Sequence, residues 1–333
     1  MKRILGLDVL RGLAISIMIM VDAAPIEPYE ILQHAQWEGL TIADLAFPLF
    51  VFVMGISAAI TSSRKIITWK KILRRTISLF VLGLIFNAIA TFLFGADFAN
   101  FRIFGILQRL ALTYAFSMAI VKIFHNDREI LIAAIILLIA SSLGFHLYAE
   151  KPFAAENNIS GAVDLLFGAN HIYTPIGDPE GLYGTIATTS TMLFGFLAGR
   201  WRDKMSWLII CGVTLLIFGG IWSSFDIISK NLWTAPFALI TSGLNAILFA
   251  IFLRCDYFKP FAAMGKNPLF LFMASNIGLM ILISAGIWKK LFEIMRLEIL
   301  SLELNALIFS LIWVLLWAMV AKLLDKLGIV IKL

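Results

Sequence analysis

Long apolar stretches, each close to twenty residues, follow one another along almost the whole chain and leave only short polar connections. A helix that crosses the hydrocarbon core of a bilayer, about 30 Å thick, needs about 20 mostly apolar residues. Barrel strands are shorter and alternate in polarity, so helices are required. The sequence predicts an all-α integral membrane protein, a bundle of about ten transmembrane helices at 4–24, 42–62, 76–96, 104–124, 129–149, 184–199, 206–225, 233–253, 268–287 and 300–321.

Composition favours one polytopic transmembrane domain over residues 1–333. Hydrophobic residues make up 61% of the chain and charged residues 14%, whereas soluble domains carry about 25% charged residues. The net charge of +6 does not indicate nucleic-acid binding, because the basic residues sit in short loops, where they set orientation. No CxxC or HExxH spacing occurs, so no metal is expected, and Cys211 and Cys255 are interpreted as packing residues. Asp8 and Arg11 interrupt the first apolar run, so no cleavable signal is predicted.

Lys and Arg are distributed unevenly between the two sets of alternating loops. Of the 27 such residues, 19 lie in one set, 6 lie in the other, and Arg11 and Arg109 lie within predicted spans. The richer face is cytoplasmic by the positive-inside rule, so both termini are predicted to be cytoplasmic. The opposite face carries the long polar loop at 150–183, which either binds a ligand or forms a structured cap.

Ionisable side chains inside spans are energetically unfavourable, which makes them candidates for function. Asp8 and Arg11 are three residues apart on the first helix, so they share a face and can pair. A pair that shapes a coenzyme entrance and a purely structural pair are both compatible with this spacing.

A second group of polar residues is predicted at the outer ends of the helices. Asp22 ends the first helix, Asp44 opens the second, and Gln108 and Arg109 lie just inside the outer end of the fourth. These residues are therefore expected at one level of the membrane, close to His34.

His34 is one of only 4 histidines and directly precedes the second helix. Thr41 and Asp44, three residues apart, have the form of a capping box, which is one interpretation of the Asp44 carboxylate. The same carboxylate could instead orient the His34 imidazole and raise its basicity. Both interpretations stay open at this point.

Six short motifs carry a family resemblance. LDVLRG at 7–12 looks like the opening motif of transmembrane acyltransferases. HAQWEGLTIADLAFP at 34–48 strongly resembles the heparan-α-glucosaminide N-acetyltransferase family, whose pattern there is close to H-x-x-W-x-G-x-T-x-x-D-L-x-F-P. Further matches, in the family's order, are GILQRL at 105–110, DPEGL at 178–182, KNLWT at 230–234 and GKN at 265–267.

The resemblance implies transfer of an acetyl group from cytosolic acetyl-CoA to an amino sugar or other carbohydrate on the extracytoplasmic side. It implies that His34 is catalytic, with Asp44, Arg109 and Asp22 as its companions; the family often has Asn where this chain has Asp22. The residues expected to bind the coenzyme are Arg11, Asp8, Gln108, Lys266 and Asn267. Those expected to bind the acceptor are Trp37, Glu180, Asn231 and Trp233.

The chain resembles bacterial-type members, which lack the large luminal domain of the animal enzyme. A bacterial inner membrane is therefore the expected location. The expected partners are acetyl-CoA as co-substrate, a carbohydrate acceptor, membrane lipid and a second copy of the chain in a homodimer, with no nucleic acid.

Elementary chemistry agrees with an acyltransferase. Transfer from a thioester to an amine or hydroxyl needs a base, for which imidazole is suited near neutral pH, and donors for an oxyanion, such as Arg109 or Gln108. Direct attack and an acyl-His34 intermediate both remain open. The alternative function is a polytopic transporter of a sugar or lipid-linked glycan intermediate, although no matching pair of broken helices is evident.

Overall fold

The computed structural model describes residues 4–26, 28–64, 66–254 and 258–331, and its regular elements there are helices with no β-strand. Cys255 lies outside the described residues. Thirteen α-helices lie in these ranges: α1 (Leu5–Asp22), α2 (Ile42–Ser62), α3 (Trp69–Leu93), α4 (Ile106–Ile123), α5 (Asp127–Tyr148), α6 (Ile159–Leu165), α7 (Thr185–Arg200), α8 (Met205–Trp222), α9 (Ala235–Phe252), α10 (Lys259–Met264), α11 (Pro268–Ser284), α12 (Ile287–Met295) and α13 (Leu302–Lys326).

Each of the ten predicted spans coincides with a long helix, and the all-α membrane bundle is confirmed. The number of ten is approximate. Seven described helices are long and apolar enough to cross a bilayer, or up to eight if α11 and α12, bent by 90°, form one span. Helix α1 is not among these seven because it carries three charged residues. Helices α7 and α11 are not among them because they have only 16 and 17 residues.

Helix α2 lies at the centre of the bundle and packs tightly against α7. A Cβ atom at Gly55 would lie 2.1 Å from the Met192 carbonyl oxygen, and one at Gly195 would lie 2.1 Å from the Phe52 carbonyl oxygen. Small residues allow this close backbone approach, which drives helix association where no hydrophobic effect operates. The position of α2 fixes the first residues of that helix, which include Asp44.

One end of the bundle, called here the site face, joins the loops before α2, before α4, before α7 and before α9. The Asn231 side chain donates to the Gln36 carbonyl oxygen at 2.9 Å, and the Ile103 amide donates to the His171 carbonyl oxygen at 2.9 Å. The 150–183 loop and His34 therefore lie at the same end of the bundle, as the alternation of loops along the sequence predicts.

The other end, called here the basic face, joins the loops that are rich in Lys and Arg. Lys122 Nζ donates to the Ile67 carbonyl oxygen at 3.2 Å, which connects the end of α4 to the segment before α3. Lys266 pairs with Asp325 near the end of α13. Helix α2 has 21 residues, so the two faces are about 30 Å apart, comparable to a bilayer core.

The 150–183 loop is a folded cap that contains α6. The Asp164 carboxylate inside it accepts hydrogen bonds from the Asp178 and Leu182 amides, at 3.1 and 2.9 Å. Burial raises the pKa of Asp164 to about 6, although these two hydrogen bonds act to lower it. A Cβ atom at Gly181 would lie 2.1 Å from this carboxylate, so the cap requires glycine there.

Labelling in intact cells tests the orientation that the positive-inside rule predicts. In a chain with Cys211 and Cys255 replaced, a cysteine at the exposed Gln36 position should react with an impermeant thiol reagent. A cysteine at the exposed Lys70 position should react only after the membrane is opened. The reverse pattern would place the site face in the cytoplasm and contradict the predicted orientation.

Candidate active site

The carboxylate of Asp44 is the centre of a hydrogen-bond network at the start of α2. Its Oδ1 accepts from His34 Nδ1 at 2.8 Å, and its Oδ2 accepts from the Ala35 amide at 3.1 Å. The same Oδ2 accepts from the amide and the hydroxyl of Thr41, at 3.2 and 3.0 Å. Asp44 is fully buried. The Asp44 carboxylate therefore both completes the capping box and orients His34, so the two interpretations that the sequence left open are both correct.

His34 is half-exposed and lies beside a lysine that comes from another loop. Lys230 Nζ lies 3.0 Å from His34 Nδ1, 3.2 Å from its Nε2 and 3.6 Å from Asp44 Oδ1. A carboxylate accepts only, so Nδ1 carries the proton and Nε2 is an acceptor, which the Lys230 amine faces at 3.2 Å. Burial lowers the pKa of the Lys230 amine, while Glu180, Asp44 and Asp22 oppose this effect. The Nε2 atom can thus accept a proton from a bound molecule that takes the place of the Lys230 amine.

The turn that presents Lys230 is held by a strained but well-packed tryptophan. Trp233 has a φ of +49°, a left-handed conformation that costs about 1–2 kcal/mol for a residue with a side chain. Its fully buried ring makes edge contacts with Phe47 and Phe237, at centroid distances of 5.3 and 5.2 Å. Each of these two aromatic pairs stabilises by about 0.5–1.5 kcal/mol, which is comparable to the strain. Because Phe47 follows Asp44 by one helical turn, this packing fixes Lys230 relative to Asp44.

Asp22, at the end of α1, is accessible to solvent and is the fourth member of the group that His34, Asp44 and Lys230 form. Its Oδ2 accepts a hydrogen bond from the Asn276 side chain on α11 at 3.1 Å. It lies close enough to His34, Lys230 and Glu180 to interact electrostatically with each of them. Asn276 is about 12 Å along the helix from the C-terminal end of α11. Among the described residues, no group of three or more His, Cys, Asp or Glu side chains could hold a metal ion.

Glu180 is held in place by an arginine from the loop before α4. Arg102 donates to Asp178 through two nitrogens, at 2.8 and 2.6 Å, and to Glu180 Oε2 at 2.6 Å. These carboxylates keep the pKa of Arg102 above its ordinary value despite its burial, so the guanidinium stays charged. The fork geometry of arginine suits this double contact, which joins the cap to the loop before α4.

The structure places Arg109 and Gln108 away from direct contact with His34. Arg109 is fully buried, donates to the Gly181 carbonyl oxygen at 3.0 Å and lies 5.4 Å from the Trp233 ring centroid. Its Nε and the Nε2 of Gln108 are buried without a hydrogen-bond partner. Arg109 thus bridges the cap and the Trp233 turn, two elements that border the site.

A cavity of about 300 Å³ opens between the cap and the loops that carry His34 and Lys230. Its lining includes Trp37, Tyr173, Asn158 and Asn231. The Trp37 indole donates to the Phe153 carbonyl oxygen at 2.8 Å, which fixes the ring against the cap. Of the four residues expected to bind an acceptor, the structure brings Trp37 and Asn231 to this cavity. It places Glu180 beside Arg102 and Trp233 in the core.

A second cavity, of about 170 Å³, opens from the basic face and is lined by Arg11, Ser57, Arg75 and Lys266 among others. Arg11 donates to Asp8 at 3.0 Å and to the Ser57 hydroxyl, so the predicted Asp8–Arg11 pair is present. Apolar side chains continue the cavity along α2 from Ser57 to Phe50. Phe50 is about 9 Å along the helix from Asp44, so this cavity points toward the His34 site.

Asn267, another residue expected to bind a coenzyme, holds the C-terminal segment. Its side-chain amide donates to the Ile329 carbonyl oxygen at 3.0 Å and accepts from the Ile331 amide at 2.8 Å. Ile331 lines the basic-face cavity. Asn267 therefore contributes to that cavity through the segment that it fixes.

Lys230 and Arg102 are the charged residues that sequence reasoning passed over. Only 6 Lys and Arg residues lie in the loops of the site face, and these two are exceptions to the bias that places basic residues on the other side. Lys230 also opens the KNLWT motif, in which only Asn231 and Trp233 were predicted to bind the acceptor. A basic residue in the loops of the face that carries few basic residues was the sequence feature that could have identified Lys230 and Arg102.

Comparison with known proteins agrees with the motifs. The family model described as "Heparan-alpha-glucosaminide N-acetyltransferase, catalytic" matches residues 3–163, which include His34, Asp44 and Arg109. The heparan-alpha-glucosaminide N-acetyltransferase of Mus musculus is 25% identical over 353 aligned residues, covering 83% of this chain and 54% of that protein. The protein of the same name from Homo sapiens is 24% identical over 352 residues, covering 83% and 53%. The chain spans about half the length of these relatives, and the family resemblance is confirmed.

Proposed function

We propose, on the premise that this chain is a relative of the heparan-alpha-glucosaminide N-acetyltransferases, that it transfers an acetyl group from acetyl-CoA to a carbohydrate acceptor across the membrane. The activity named for these relatives supports a membrane acetyltransferase. The observation that carries the finer proposal is the His34–Asp44 pair on one face, approached from the other face by a cavity with a basic mouth. The donor therefore enters from the basic face, which the positive-inside rule makes cytoplasmic, in keeping with a bacterial inner membrane and cytoplasmic termini.

The basic-face cavity has the chemistry that acetyl-CoA requires. Three cations, Arg11, Arg75 and Lys266, line it against two paired carboxylates, Asp8 and Asp325, which leaves net positive charge at its mouth, where the phosphates of the nucleotide end would lie. The cavity is too small for the whole coenzyme, so its nucleotide stays outside and only the pantetheine arm enters. The apolar wall that runs from Val53 to Phe50 directs this arm toward Asp44 and His34.

His34 then acts as the general base. Its Nε2 takes the proton of the acceptor amine or hydroxyl as that group attacks the thioester carbonyl carbon, and the new C–N or C–O bond forms. When the C–S bond breaks, the proton passes to the departing coenzyme A thiolate. Asp44 stabilises the imidazolium that exists between these two proton transfers. Direct transfer of this kind needs no covalent enzyme intermediate.

Lys230 is suited to two tasks in this reaction. Its amine lies within 3.2 Å of both imidazole nitrogens, so it can donate a hydrogen bond to Nε2 and hold the imidazole in place until the acceptor arrives. It is also a cation in contact with His34, and a preorganised cation beside the reacting groups can stabilise the oxyanion of a tetrahedral intermediate. We therefore assign to Lys230 the oxyanion role that the sequence suggested for Arg109.

The cavity between the cap and the loops that carry His34 and Lys230 supports a carbohydrate acceptor. Trp37 and Tyr173 provide aromatic faces, and the side-chain oxygen of Asn231 provides an acceptor. A few oriented polar groups among aromatic side chains are typical of sites for small polar ligands. Asp22, a carboxylate near His34, would attract the ammonium group of an amino sugar, which loses one proton to become the attacking amine.

Replacement of His34 tests its role as base. His34→Ala should lower the rate of acetyl transfer by about 10²–10⁴-fold, as expected for a lost general base, and leave coenzyme A affinity within a few-fold. His146→Ala is a matched control, since His146 is similarly half-exposed (43% against 45%) and also bonds a buried carboxylate, that of Asp226, at 2.8 Å. If His34→Ala keeps more than about a tenth of the activity, or the control loses as much, the assignment is wrong.

Coenzyme A binding separates this proposal from a sugar transporter. The purified protein should bind coenzyme A in calorimetry, and Lys266→Gln should weaken that binding by about tenfold or more, the effect of one charged hydrogen bond. Lys326→Gln, a change near the same end of α13, should leave it unaltered. A wild-type protein that binds a sugar but no coenzyme A would overturn the acyltransferase assignment in favour of transport.

A further inference from the structure

A third cavity, of about 450 Å³, opens on the basic face between the ends of α2, α4 and α7. Its polar lining consists of Ser62, Ser63, Lys122, His125, Arg200 and Arg202. None of its lining residues lines the cavity with Arg11 and Lys266. It is therefore a separate feature that the acetyl-transfer mechanism does not use.

The charge of this cavity is positive. Arg200 is paired with Asp127 at 2.5 Å, and Arg202 lies 3.9 Å from the largely exposed Asp203, a weak contact. The contacts described for Lys122 are with the Ile67 carbonyl oxygen and the face of the Trp69 ring, at 3.2 and 5.5 Å, and include no carboxylate. Lys122 and Arg202 thus keep charge available for an anion.

The remainder of the lining is apolar. Ala59, Ile67, Met118 and Val121 form the wall on the side of the membrane interior. A cavity with cations at its mouth and apolar side chains deeper in the bundle matches an amphiphile better than a fully hydrated ion. The Ser62 and Ser63 hydroxyls donate to backbone carbonyl oxygens at 2.9 Å, which leaves their own oxygens as acceptors.

Tryptophans mark the depth of the cavity in the bilayer. Trp69 opens α3, Trp201 follows α7, and Trp207 lies in the first turn of α8, with ring centroids of Trp201 and Trp207 6.2 Å apart. Tryptophan is enriched at the membrane–water interface, at the level of the lipid headgroups. The cavity therefore lies where headgroups of the surrounding lipid reach.

We propose that this cavity binds the headgroup of an anionic phospholipid. The phosphodiester would contact Lys122 and Arg202, a headgroup hydroxyl would donate to Ser62 or Ser63, and the glycerol backbone and first methylenes would lie on the apolar wall. Basic pockets between transmembrane helices on the cytoplasmic side are known to bind such headgroups. Because the lipid contacts α2, α4 and α7 together, it would brace the helices that carry Asp44 and Arg109.

Native mass spectrometry of protein from nanodiscs of phosphatidylcholine with added phosphatidylglycerol tests the proposal. Wild-type protein should retain one more phosphatidylglycerol than the double variant Lys122→Gln with Arg202→Gln. The control Lys322→Gln with Lys326→Gln, which removes the same charge from the end of α13, should retain as many as wild type. Equal retention in all three proteins would overturn the proposal.

A second arm separates a lipid from a nucleotide phosphate. Addition of coenzyme A or of inorganic pyrophosphate should leave the retained phosphatidylglycerol in place, and the double variant should bind coenzyme A as wild type does. If coenzyme A displaces the lipid, or the double variant loses coenzyme A affinity, the cavity belongs to the donor nucleotide and the lipid assignment fails. Neither arm depends on the acetyl-transfer activity.

Discussion

The buried carboxylate of Asp44 is the interaction on which the rest of the site depends. It accepts four hydrogen bonds, from His34, Ala35 and both polar groups of Thr41. Three of these bonds end the loop and begin α2, and the fourth fixes the tautomer of the imidazole. One residue thus couples the start of the central helix to the orientation of the His34 imidazole, so local folding and the geometry of the candidate site are set together.

Two further contacts place partners around this carboxylate. Trp233 packs on Phe47, one turn along α2, and so sets the position of Lys230 from a distant part of the chain. Arg102 joins Asp178 and Glu180 and holds the cap over the same end of the bundle. The central helix, the Lys230 turn and the cap are therefore mutually fixed. The result is a site in which the charges of Asp44, Lys230 and Asp22 lie close to His34.

The helices were predictable because apolar length is a strong signal in a membrane chain, and all ten predicted spans are helices. The number of membrane-spanning helices was less predictable. Helices α1 and α7 are largely buried by protein, so they need not have the length and hydropathy that lipid contact demands. His34 and Asp44 are close in sequence, and a capping box already brings them together. Lys230 is 196 residues from His34, and no local pattern reports a contact of that range; the same holds for the partners of Arg109.

The central claim is that donor and acceptor meet from opposite faces of one protein. Proteoliposomes with the basic face outward, labelled acetyl-CoA outside and an amino sugar sealed inside test it directly. The account predicts acetylated sugar inside the vesicles, while an amino sugar supplied only outside, on the donor's side, stays unmodified. Product that forms only when both substrates are on the same side would contradict the account.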